Sequence, residues 1–488
     1  MYRLLPQFFT RVLSRKSFLT MITSKFSSRP PSSSPPSRLQ SDFAFANPDF
    51  QCREDKVPKQ TDVLVIGGGV IGWAVAYWIR FLSRTTVTVV ERDPTMSRSS
   101  SVLSLATLRT QFSEVENIQM SLFGAEFLRE VEEYLRSTPE EMASVNFVPH
   151  GHLILADEKG VEVLNENAQI QSALEVPSTL MSPAEVAKRW PWMDITDVRL
   201  ASFGERYEGW FDPWLLIRHL RNKAHVFGAN FVVGDVKSFT HHKAIPTTHF
   251  HDRPKRPSMS TPYLNEAVIA LPNGSQTKMA FHTCVNAAGP WAADIVTLAL
   301  RDFDEPMLRL PVEKRKQNIF VVRPDYSAAS STQLPGIDSP ILLDHSGLFM
   351  QRQGLSGDFA VCMNPCRTQK GHPDKEDFEV DYSEFTEQIQ PRLANRIPAM
   401  ATAKIRSAWA YLNDYNSLDQ SLIIGPHPFI NNLILANGAS GLSTQQSIAI
   451  GRAVAEYVHY RHFKSIDLTR FSFDRFYLDL PISERNTF

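Results

Sequence analysis

Residues 61–93 read TDVLVIGGGVIGWAVAYWIRFLSRTTVTVVERD, and this stretch decides the fold class. Its first apolar run, Val63–Ile66, is uninterrupted, which is typical of a strand that is buried on both faces. A glycine-rich turn follows, and an apolar-rich helix is predicted over Val70–Leu82. The β-branched run Val87–Val90 predicts a second strand, which ends at Glu91. Strand, turn, helix and strand in this order indicate a βαβ unit.

Three glycines in the spacing G-x-G-x-x-G form the turn between the first strand and the helix. In a dinucleotide site the first glycine makes the tight turn, the second lets the backbone approach the pyrophosphate, and the third lets helix and strand pack closely. The helix N-terminus favours the phosphates, and an acid that ends the second strand accepts hydrogen bonds from a ribose diol and argues against NADP. The residues predicted to bind the dinucleotide here are Gly67, Gly69, Val70, Ile71, Gly72, Glu91 and Arg92.

This stretch alone leaves both NAD and FAD possible. A simple NAD dehydrogenase would continue with regular βα units, whereas this chain continues into Ser99–Ser101 and a long amphipathic stretch, Asn117–Leu135. A second nucleotide-type piece returns near the C-terminus, with a predicted strand at Leu433–Ala436, a Gly/Ser turn at Asn437–Ser443 and a helix at Thr444–His459. A site built from both ends of the chain favours an extended, two-part cofactor such as FAD.

Composition and charge exclude several other classes of protein. The net charge of −1 and the pI near 6.9 provide no basic field for nucleic acid. With 43% hydrophobic and 10% aromatic residues the chain is not disordered overall, and its 488 residues are enough for two units with separate cores. The four cysteines are too few for a disulfide-stapled secreted fold. Only 22 glycines are present, where average usage gives roughly 34, so each should have a backbone reason.

The first forty residues differ from the rest of the chain. They are rich in arginine and serine, no acidic residue precedes Asp42, and a Ser/Pro run closes the segment at Ser27–Ser37. This composition is typical of a mitochondrial transit peptide, with a disordered basic tail as the alternative. No stretch approaches 18 consecutive apolar residues, so no transmembrane helix is predicted and any inner-membrane association is expected to be peripheral.

No metal site is predicted. Four histidines cluster in a polar, proline-rich insertion over residues 238–262, where a closed metal site would lack the fixed shell that it needs. These histidines are His241, His242, His249 and His251.

Five blocks in a fixed order resemble the D-amino-acid oxidase and sarcosine oxidase superfamily of FAD enzymes, from about residue 60 to the C-terminus. The stretch EGWFDPW, Glu208–Trp214, is the most specific of them. The other blocks are Gly67–Asp93, Gln111–Phe123, Val285–Trp291 with Leu310–Glu313, and Ser407–Glu456. Within the superfamily the chain is most similar to a mitochondrial branch that is linked to assembly of respiratory complex I.

The resemblance implies an α/β protein with an α+β second domain. A Rossmann-like FAD-binding domain would be assembled from discontinuous segments, and an antiparallel sheet would form the substrate domain. The FAD-binding segments are expected at 60–146, 204–302 and 406–488, the substrate-domain segments at 147–203 and 303–405, and the transit peptide with its linker at 1–40.

The resemblance also implies further FAD-binding residues and a noncovalent cofactor. The positions at which relatives attach flavin to cysteine or histidine hold Leu412 and Ser104 here. The additional residues expected to bind FAD are Ser99, Val236, Ala288, Gly289, Trp291, Gly441, Leu442, Ser443 and Thr444.

The chain departs from the family where the backbone should approach the flavin ring and the substrate. Ala106-Thr107 stands where relatives have Gly-Gly, Leu442 where they have histidine, Ser447 where they have a helix proline, and Val361-Cys362 where they have a further Gly-Gly. A Cβ at a site of close backbone approach strains the chain or shifts the ligand.

Three basic residues are candidates for substrate chemistry. Flavin amine oxidation needs mainly a positioned substrate, and a carboxylate substrate needs a cation. Arg352 lies where relatives place a carboxylate-binding arginine, and a salt bridge between domains is the alternative. Arg109 follows the Ala106-Thr107 turn and is a candidate for steering an anion over the flavin. Lys316 lies in a basic run and is a candidate for facing the flavin and raising its electron affinity, with a solvated loop as the alternative.

Two functions of different class follow. The first is a mitochondrial FAD-dependent oxidoreductase, in the matrix or on the matrix side of the inner membrane, that oxidises a small amine or amino acid. The second is a flavin-fold assembly factor for complex I intermediates with weak or lost turnover. The two are compatible if FAD binds and turns over slowly.

Overall fold

The computed structural model describes residues 57–243, 262–303, 309–325, 334–364 and 376–485. The predicted transit peptide and linker at 1–40 lie outside these residues, as do His249 and His251.

A mainly parallel sheet forms the first layer of the fold. The strand order is β17-β18-β11-β1-β2-β8, in which the five strands from β18 to β8 run parallel and β17 is antiparallel to β18. An antiparallel hairpin of β9 and β10 extends the sheet beside β11. The strands are β1 (Gln60–Ile66), β2 (Val87–Glu91), β8 (Asn230–Val233), β9 (Asp235–Lys243), β10 (Pro262–Ala270), β11 (Gln276–Asn286), β17 (Ile423–Pro426) and β18 (Leu433–Asn437).

A second sheet carries the order β16-β12-β15-β14-β13-β4-β6-β5. It is antiparallel except for the β13–β4 pair, which is parallel and departs from the fully antiparallel sheet expected. Its strands are β4 (His152–Ala156), β5 (Ser178–Met181), β6 (Leu200–Gly204), β12 (Val312–Arg323), β13 (Ile341–Leu343), β14 (Leu348–Gln353), β15 (Asp358–Met363) and β16 (Lys404–Asn416).

Helices cover both sheets. The helices are α1 (Val70–Leu82), α2 (Ser100–Leu103), α3 (Val115–Arg129), α4 (Val131–Leu135), α5 (Val161–Ala173), α6 (Pro183–Arg189), α7 (Pro213–Val226), α8 (Ala292–Ala299), α9 (Tyr382–Glu384), α10 (Gln390–Arg396) and α11 (Ser443–Tyr460). A π-helical turn, Phe385–Ile389, joins α9 to α10.

Helix α1 is the central helix of the first layer. Every residue from Val70 to Ile79 is buried, as a helix that is apolar all round requires. Helix α11 crosses it so closely that a Cβ on Gly451 would lie 2.6 Å from the carbonyl carbon of Ala74. The two ends of the chain therefore pack together at the dinucleotide-type unit, as the C-terminal strand and helix predicted.

The EGWFDPW stretch contributes to a separate two-stranded sheet. Its Gly209–Trp210 forms strand β7, which pairs with β3, Thr107–Leu108, directly after Ala106. The Asp212 side chain accepts the N–H groups of Trp214 and Leu215 at 2.9 and 3.2 Å and so caps helix α7. Pro213 suits the first helical turn because it has no N–H to leave unpaired.

Two boundaries differ from those expected. Strand β16 pairs with β12 along its whole length, so the second sheet extends to Asn416 and not to residue 405. The insertion at 238–262 begins as strand, because β9 continues to Lys243 before the chain rejoins the sheet at β10. His241 therefore lies in a strand, where its Nε2 is 2.7 Å from the carbonyl oxygen of Ala299.

Candidate cofactor and substrate site

A cavity of about 480 Å³ opens at the carboxyl ends of β1 and β2. This is the edge at which parallel α/β sheets bind their ligands, and the volume falls within the usual range of ligand pockets. Twelve of the residues predicted to bind the cofactor line it: Gly67, Gly69, Val70, Ile71, Glu91, Arg92, Ser99, Val236, Ala288, Gly289, Trp291 and Ser443.

The three glycines of the turn have different physical reasons. Gly67 has φ +104°, and a Cβ there would lie 2.4 Å from the carbonyl oxygen of Ala287. A Cβ on Gly72 would lie 1.9 Å from the carbonyl oxygen of Gly67, so Gly72 serves packing inside the protein and does not line the cavity. A Cβ on Gly69 would meet only the Ser101 Oγ, at 3.5 Å. Of the three glycines, only Gly69 therefore has open space for a ligand beside its Cα atom.

The N-terminus of helix α1 faces this open space. The first helical hydrogen bond runs from the Trp73 N–H to the Gly69 carbonyl at 3.1 Å, so the preceding N–H groups have no helix carbonyl to bind. The Val70 N–H reaches the Ser101 Oγ at 3.3 Å. No acidic side chain occupies the first turn. The helix dipole and its N–H groups are therefore available to an anion such as a pyrophosphate.

Glu91 is held at the rim of the same cavity. Its two carboxylate oxygens accept the N–H groups of Gly68 at 2.7 Å and Asp93 at 2.8 Å. Burial raises the pKa of Glu91, and these two backbone hydrogen bonds act against that rise. A carboxylate oxygen can accept more than one hydrogen bond, so a ribose diol has acceptors here.

Arg92 and Trp291 form one wall of the cavity. The Arg92 guanidinium lies 4.0 Å from the centre of the Trp291 ring, and the Trp291 Nε1–H donates to Glu376 at 2.5 Å. This pairing holds the indole in one orientation beside Ala288 and Gly289, where the chain leaves strand β11.

A second cavity of about 190 Å³ lies between the segments 104–107 and 440–442 and the second sheet. The two cavities meet at the C-terminal turn, where Ser443 lines the first and Leu442 and Thr444 line the second. Gly441 and Arg109 also line the second cavity. Its apolar wall includes Leu105, Ile319, Leu343, Phe349 and Met363.

Arg109 is the cation of the second cavity. Its side chain is 7% exposed, its guanidinium lies 4.4 Å from the centre of the Phe112 ring, and its Nη1 has no hydrogen-bond partner among the described residues. Its backbone N–H donates to the Gln445 Oε1 at 2.8 Å. A buried guanidinium nitrogen without a partner is costly, and an anion in the cavity would satisfy it.

Arg352 and Lys316 lie outside both cavities, contrary to the expectations that Arg352 anchors the substrate and that Lys316 faces the flavin. Successive strand residues face opposite sides of a sheet, and the cavity takes Phe349 from β14 and Gln317 from β12. Arg352 donates instead to the carbonyls of Gly354 and Pro335 at 3.1 and 3.3 Å.

Lys316 points to the other side of β12 from the cavity. Its ammonium donates to Asp377 at 2.5 Å and to the Glu379 carbonyl at 2.8 Å. Arg352 and Lys316 therefore form hydrogen bonds with the segments that connect the strands of the second sheet.

One departure from the family pattern keeps the backbone conformation of the glycine that it replaces. Ala106, which stands where relatives have glycine, has φ +43° and so retains the left-handed conformation that glycine adopts without strain. The Phe211 N–H donates to the Ala106 carbonyl at 3.0 Å and holds the strained turn against EGWFDPW. Val361 packs in the core on the far side of the second sheet, whereas Cys362 lines the second cavity.

Asp414 fixes the C-terminal turn from beneath. Its Oδ2 accepts the Ala439 N–H at 3.1 Å, and its carbonyl accepts the Ser440 N–H at the same distance. Asp414 lines the first cavity, and burial raises its pKa to about 6.

Three polar residues at the second cavity were missed from the sequence. His152 and Glu484 line the cavity, and Glu208 is a buried neighbour of His152. Glu208 opens the EGWFDPW stretch, so that motif was a signal. His152 stands at the start of an apolar strand and Glu484 in the C-terminal tail, and neither position carries a sequence signal of its own.

The described residues contain no group of three or more His, Cys, Asp or Glu that could hold a metal ion. Across the described helices, none is both long and apolar enough to cross a membrane.

A glycine-lined dinucleotide site beside a small cavity under a mainly antiparallel sheet is the arrangement expected of a flavin-dependent oxidoreductase. The chain belongs to the FAD dependent oxidoreductase family of the D-amino-acid oxidase type, whose model matches residues 62–457. The family and the fold class expected from the five sequence blocks are therefore confirmed. The chain binds FAD, and the residues of the first cavity fit the nucleotide part of that cofactor.

Known proteins that are similar to this chain agree with the assignment. A protein of Xenopus laevis named FAD-dependent oxidoreductase domain-containing protein 1 is 38% identical over 441 residues, which cover 88% of this chain and 86% of that protein. L-proline dehydrogenase from P. horikoshii has a TM-score of 0.69 at 21% identity, with coverage of 87% and 100%. Glycine oxidase from Geobacillus kaustophilus has a TM-score of 0.64 at 20% identity, with coverage of 85% and 98%. The last two are similar in fold.

Proposed function

We propose that this protein is a mitochondrial flavoenzyme that oxidises a small amine or amino acid bearing a carboxylate, with noncovalently bound FAD. The observation that carries the proposal is Arg109, a buried guanidinium with an unpartnered Nη1 on the wall of the second cavity. Bound FAD supplies a two-electron acceptor for a hydride.

The chain's own residues would hold the cofactor in two parts. The open space at Gly69 and the N-terminus of helix α1 fit the pyrophosphate, and Glu91 fits the ribose diol. The first cavity continues to Ser443, beyond which the second cavity begins. The positions that carry covalent flavin in relatives are occupied by Leu412, whose carbonyl accepts the Ser100 hydroxyl at 2.6 Å, and by Ser104, so noncovalent binding is proposed.

Arg109 would bind the substrate carboxylate and set its orientation. A guanidinium fork matches a carboxylate with two parallel hydrogen bonds, and burial strengthens such a contact because water does not compete. The volume of the second cavity, about 190 Å³, would admit only a small substrate. Its apolar wall of Ile319 and Phe349 would exclude water from the reacting carbon.

A panel of matched amines tests this proposal. FAD-loaded protein is mixed without oxygen with N-methylglycine, glycine and L-proline, and separately with dimethylamine, methylamine and pyrrolidine, which lack only the carboxylate. We expect loss of oxidised-flavin absorbance with at least one amino acid and none with its decarboxylated counterpart. Bleaching by both members of a pair, or by no amine, would refute it.

The mitochondrial location is part of the same proposal. It is supported by the arginine- and serine-rich, acid-free residues 1–40. A fluorescent protein fused behind residues 1–40 is expected to enter mitochondria, and the same fusion with its arginines replaced by glutamine is expected to remain outside. Import of both fusions, or of neither, would remove this support.

A second candidate function is support of respiratory complex I assembly, with weak or lost turnover and peripheral association with the inner membrane. This candidate is favoured by Ala106, whose φ of +43° is strained, and by the apolar Leu442, because they line the second cavity where relatives have glycine and histidine. Deleting the protein is expected to deplete complex I, and a variant with Arg109→Gln is expected to restore it if turnover is dispensable. Normal complex I after deletion would exclude the role.

A further inference from the structure

His152 is a buried histidine that the binding of substrate and cofactor does not explain. It opens strand β4, its side chain is 1% exposed, and it lines the second cavity together with Arg109. Its Nε2 has no hydrogen-bond partner among the described residues, whereas its Nδ1 lies 3.3 Å from a carboxylate oxygen of Glu208. Buried polar groups are nearly always paired, so the unpartnered Nε2 of a histidine on a cavity wall indicates that its partner is a ligand.

Glu208 stands behind this ring. Its Oε2 lies 3.3 Å from the His152 Nδ1, close enough for an ion pair when the ring is protonated, although the two atoms are not aligned as a hydrogen bond. Thr110 donates to the Glu208 Oε1 from its N–H and its hydroxyl, both at 2.7 Å, and the Gln111 side chain donates to Oε2 at 2.8 Å. These contacts fix the carboxylate, and its position favours the tautomer with hydrogen on Nδ1.

The charges around the ring keep it neutral before substrate binds. Burial lowers the pKa of His152, Arg109 lowers it further, and Glu208 acts in the opposite direction. The other titratable groups of the cavity are Glu484, Cys362 and Tyr411. Burial raises the pKa of Cys362 and Tyr411, so both are neutral near pH 7 and add no charge.

We propose that His152 is the catalytic base that takes a proton from the substrate ammonium, and that the substrate carboxylate activates it by neutralising Arg109. This inference rests on the proposed amine oxidation and deepens it. An ammonium has no lone pair with which to stabilise the loss of hydride from its neighbouring carbon, so the amine must be neutral before oxidation.

The proton and electron balance is complete. An N–H bond of the ammonium breaks and an Nε2–H bond forms on His152, giving an imidazolium beside the Glu208 carboxylate. Bound FAD would supply the two-electron acceptor for the hydride that the Cα–H bond releases as the amine lone pair forms the C=N bond. The proton on His152 returns to solvent after the product leaves.

The coupling follows from electrostatics. The positive charge of Arg109 disfavours a second positive charge on His152 in the same small cavity. A bound carboxylate cancels that charge, so the ring becomes a better base at the moment when an amino acid occupies the site. An amine without a carboxylate would leave the ring a poor base, which gives a second reason for the selectivity expected above.

Histidine NMR on FAD-loaded protein tests the inference without any substrate. The ring signal of His152 is assigned by its absence in His152→Gln, with His150→Gln as the matched control, and is titrated with and without saturating propionate. We expect a neutral ring at pH 7, a midpoint that rises when propionate binds, and a midpoint in Arg109→Gln that is already raised and insensitive to propionate. A midpoint unaffected by propionate, or a ring already protonated at pH 7, would overturn the proposal.

A kinetic test uses whichever amino acid reduces the flavin. His152→Gln should slow flavin reduction at pH 7 by about 10²-fold, the usual contribution of a general base. The rate should recover tenfold per pH unit until the free amine predominates in solution, because solution then supplies the neutral amine. A decrease in the rate of flavin reduction that is equal at every pH would indicate a structural role for His152 and would refute the proposal. If no amine reacts while the pKa of His152 still responds to propionate, the result would count against the proposed function alone.

Discussion

Gly69 offers a substitution that separates cofactor binding from folding. Its backbone, with φ −68° and ψ −174°, lies in a region open to any residue, and an added Cβ would meet only the Ser101 Oγ at 3.5 Å. Gly69→Ala should therefore fold as well as the wild-type chain. Its methyl group would project into the space at the N-terminus of helix α1, where the pyrophosphate fits.

The size of the effect follows from the crowding that the methyl group causes. Inserting one methyl into a packed contact typically costs about 1–3 kcal/mol. Because 1.4 kcal/mol is tenfold in affinity, the dissociation constant of FAD should rise by roughly 5- to 150-fold. The FAD-free protein should unfold with an unchanged free energy.

The assay is titration of FAD-free protein with FAD, followed by flavin fluorescence, beside urea unfolding of the same samples. Gly336→Ala is the matched control, because its Cβ would meet only the flexible Asp338 carboxylate at 2.6 Å, away from both cavities. Gly72→Ala is the opposite case, since its Cβ would lie 1.9 Å from the Gly67 carbonyl oxygen and should disrupt the turn itself.

Unchanged FAD affinity in Gly69→Ala would refute the assignment of the first cavity to the pyrophosphate. Loss of folding in the same variant would refute the reading of Gly69 as a glycine kept for ligand rather than for packing.

Three further predictions concern stability. Burial raises the pKa of Asp414 from 3.8 to about 6, so the folded state binds more protons than the unfolded state between these pH values. The contribution of Asp414 to stability therefore falls as pH rises from 4 to 6, by up to about 3 kcal/mol. In urea unfolding of FAD-free protein, Asp414→Asn should lack this pH dependence, and identical pH dependence in both proteins would contradict the raised pKa. Gly451→Ala should destabilise the protein by about 1–3 kcal/mol, because its Cβ would lie 2.6 Å from Ala74 and force α11 away from α1. Thermal unfolding measures the loss of stability, and an unchanged midpoint would contradict the close crossing of the two helices. Glu484 accepts the N–H groups of Ser113 and Glu114 at 2.8 and 3.2 Å ahead of helix α3, so Glu484→Gln should lower the free energy of unfolding by about 1–2 kcal/mol. The control Arg485→Gln removes an exposed ion pair with Glu166 and should lower it by less than about 1 kcal/mol. Equal losses of stability in denaturant unfolding would show that the C-terminal segment is not anchored through Glu484.

The sequence predicted the first cavity well because its parts are close together along the chain. The strand, the glycine turn, helix α1 and Glu91 lie within some thirty residues, and each has a local physical signature. The helix predicted over Val70–Leu82 has the same bounds in the structure. The remote walls, such as Val236 and Ser443, were expected only through the family resemblance.

The residues that line the second cavity could not be predicted from the sequence in the same way. Strand register decides whether Gln317 or Lys316 faces it, and a basic run in the sequence does not carry that information. His152 and Glu484 are more than 300 residues apart, and only packing brings them to one wall. The positive φ of Ala106 is likewise invisible in composition, although the glycine shortage indicated where strain would lie.

Two buried arginines provide the most direct test of the account. Arg109 and Arg352 are each 7% exposed, yet only Arg109 lines the second cavity. The measurement is the dissociation constant of propionate for FAD-loaded protein, followed by flavin absorbance, in Arg109→Gln and Arg352→Gln variants with equal FAD content. Loss of a charged hydrogen-bonding partner should weaken binding roughly tenfold to hundredfold in Arg109→Gln, with binding unchanged in Arg352→Gln. Unchanged binding in Arg109→Gln, or a loss confined to Arg352→Gln, would contradict a substrate site built on Arg109.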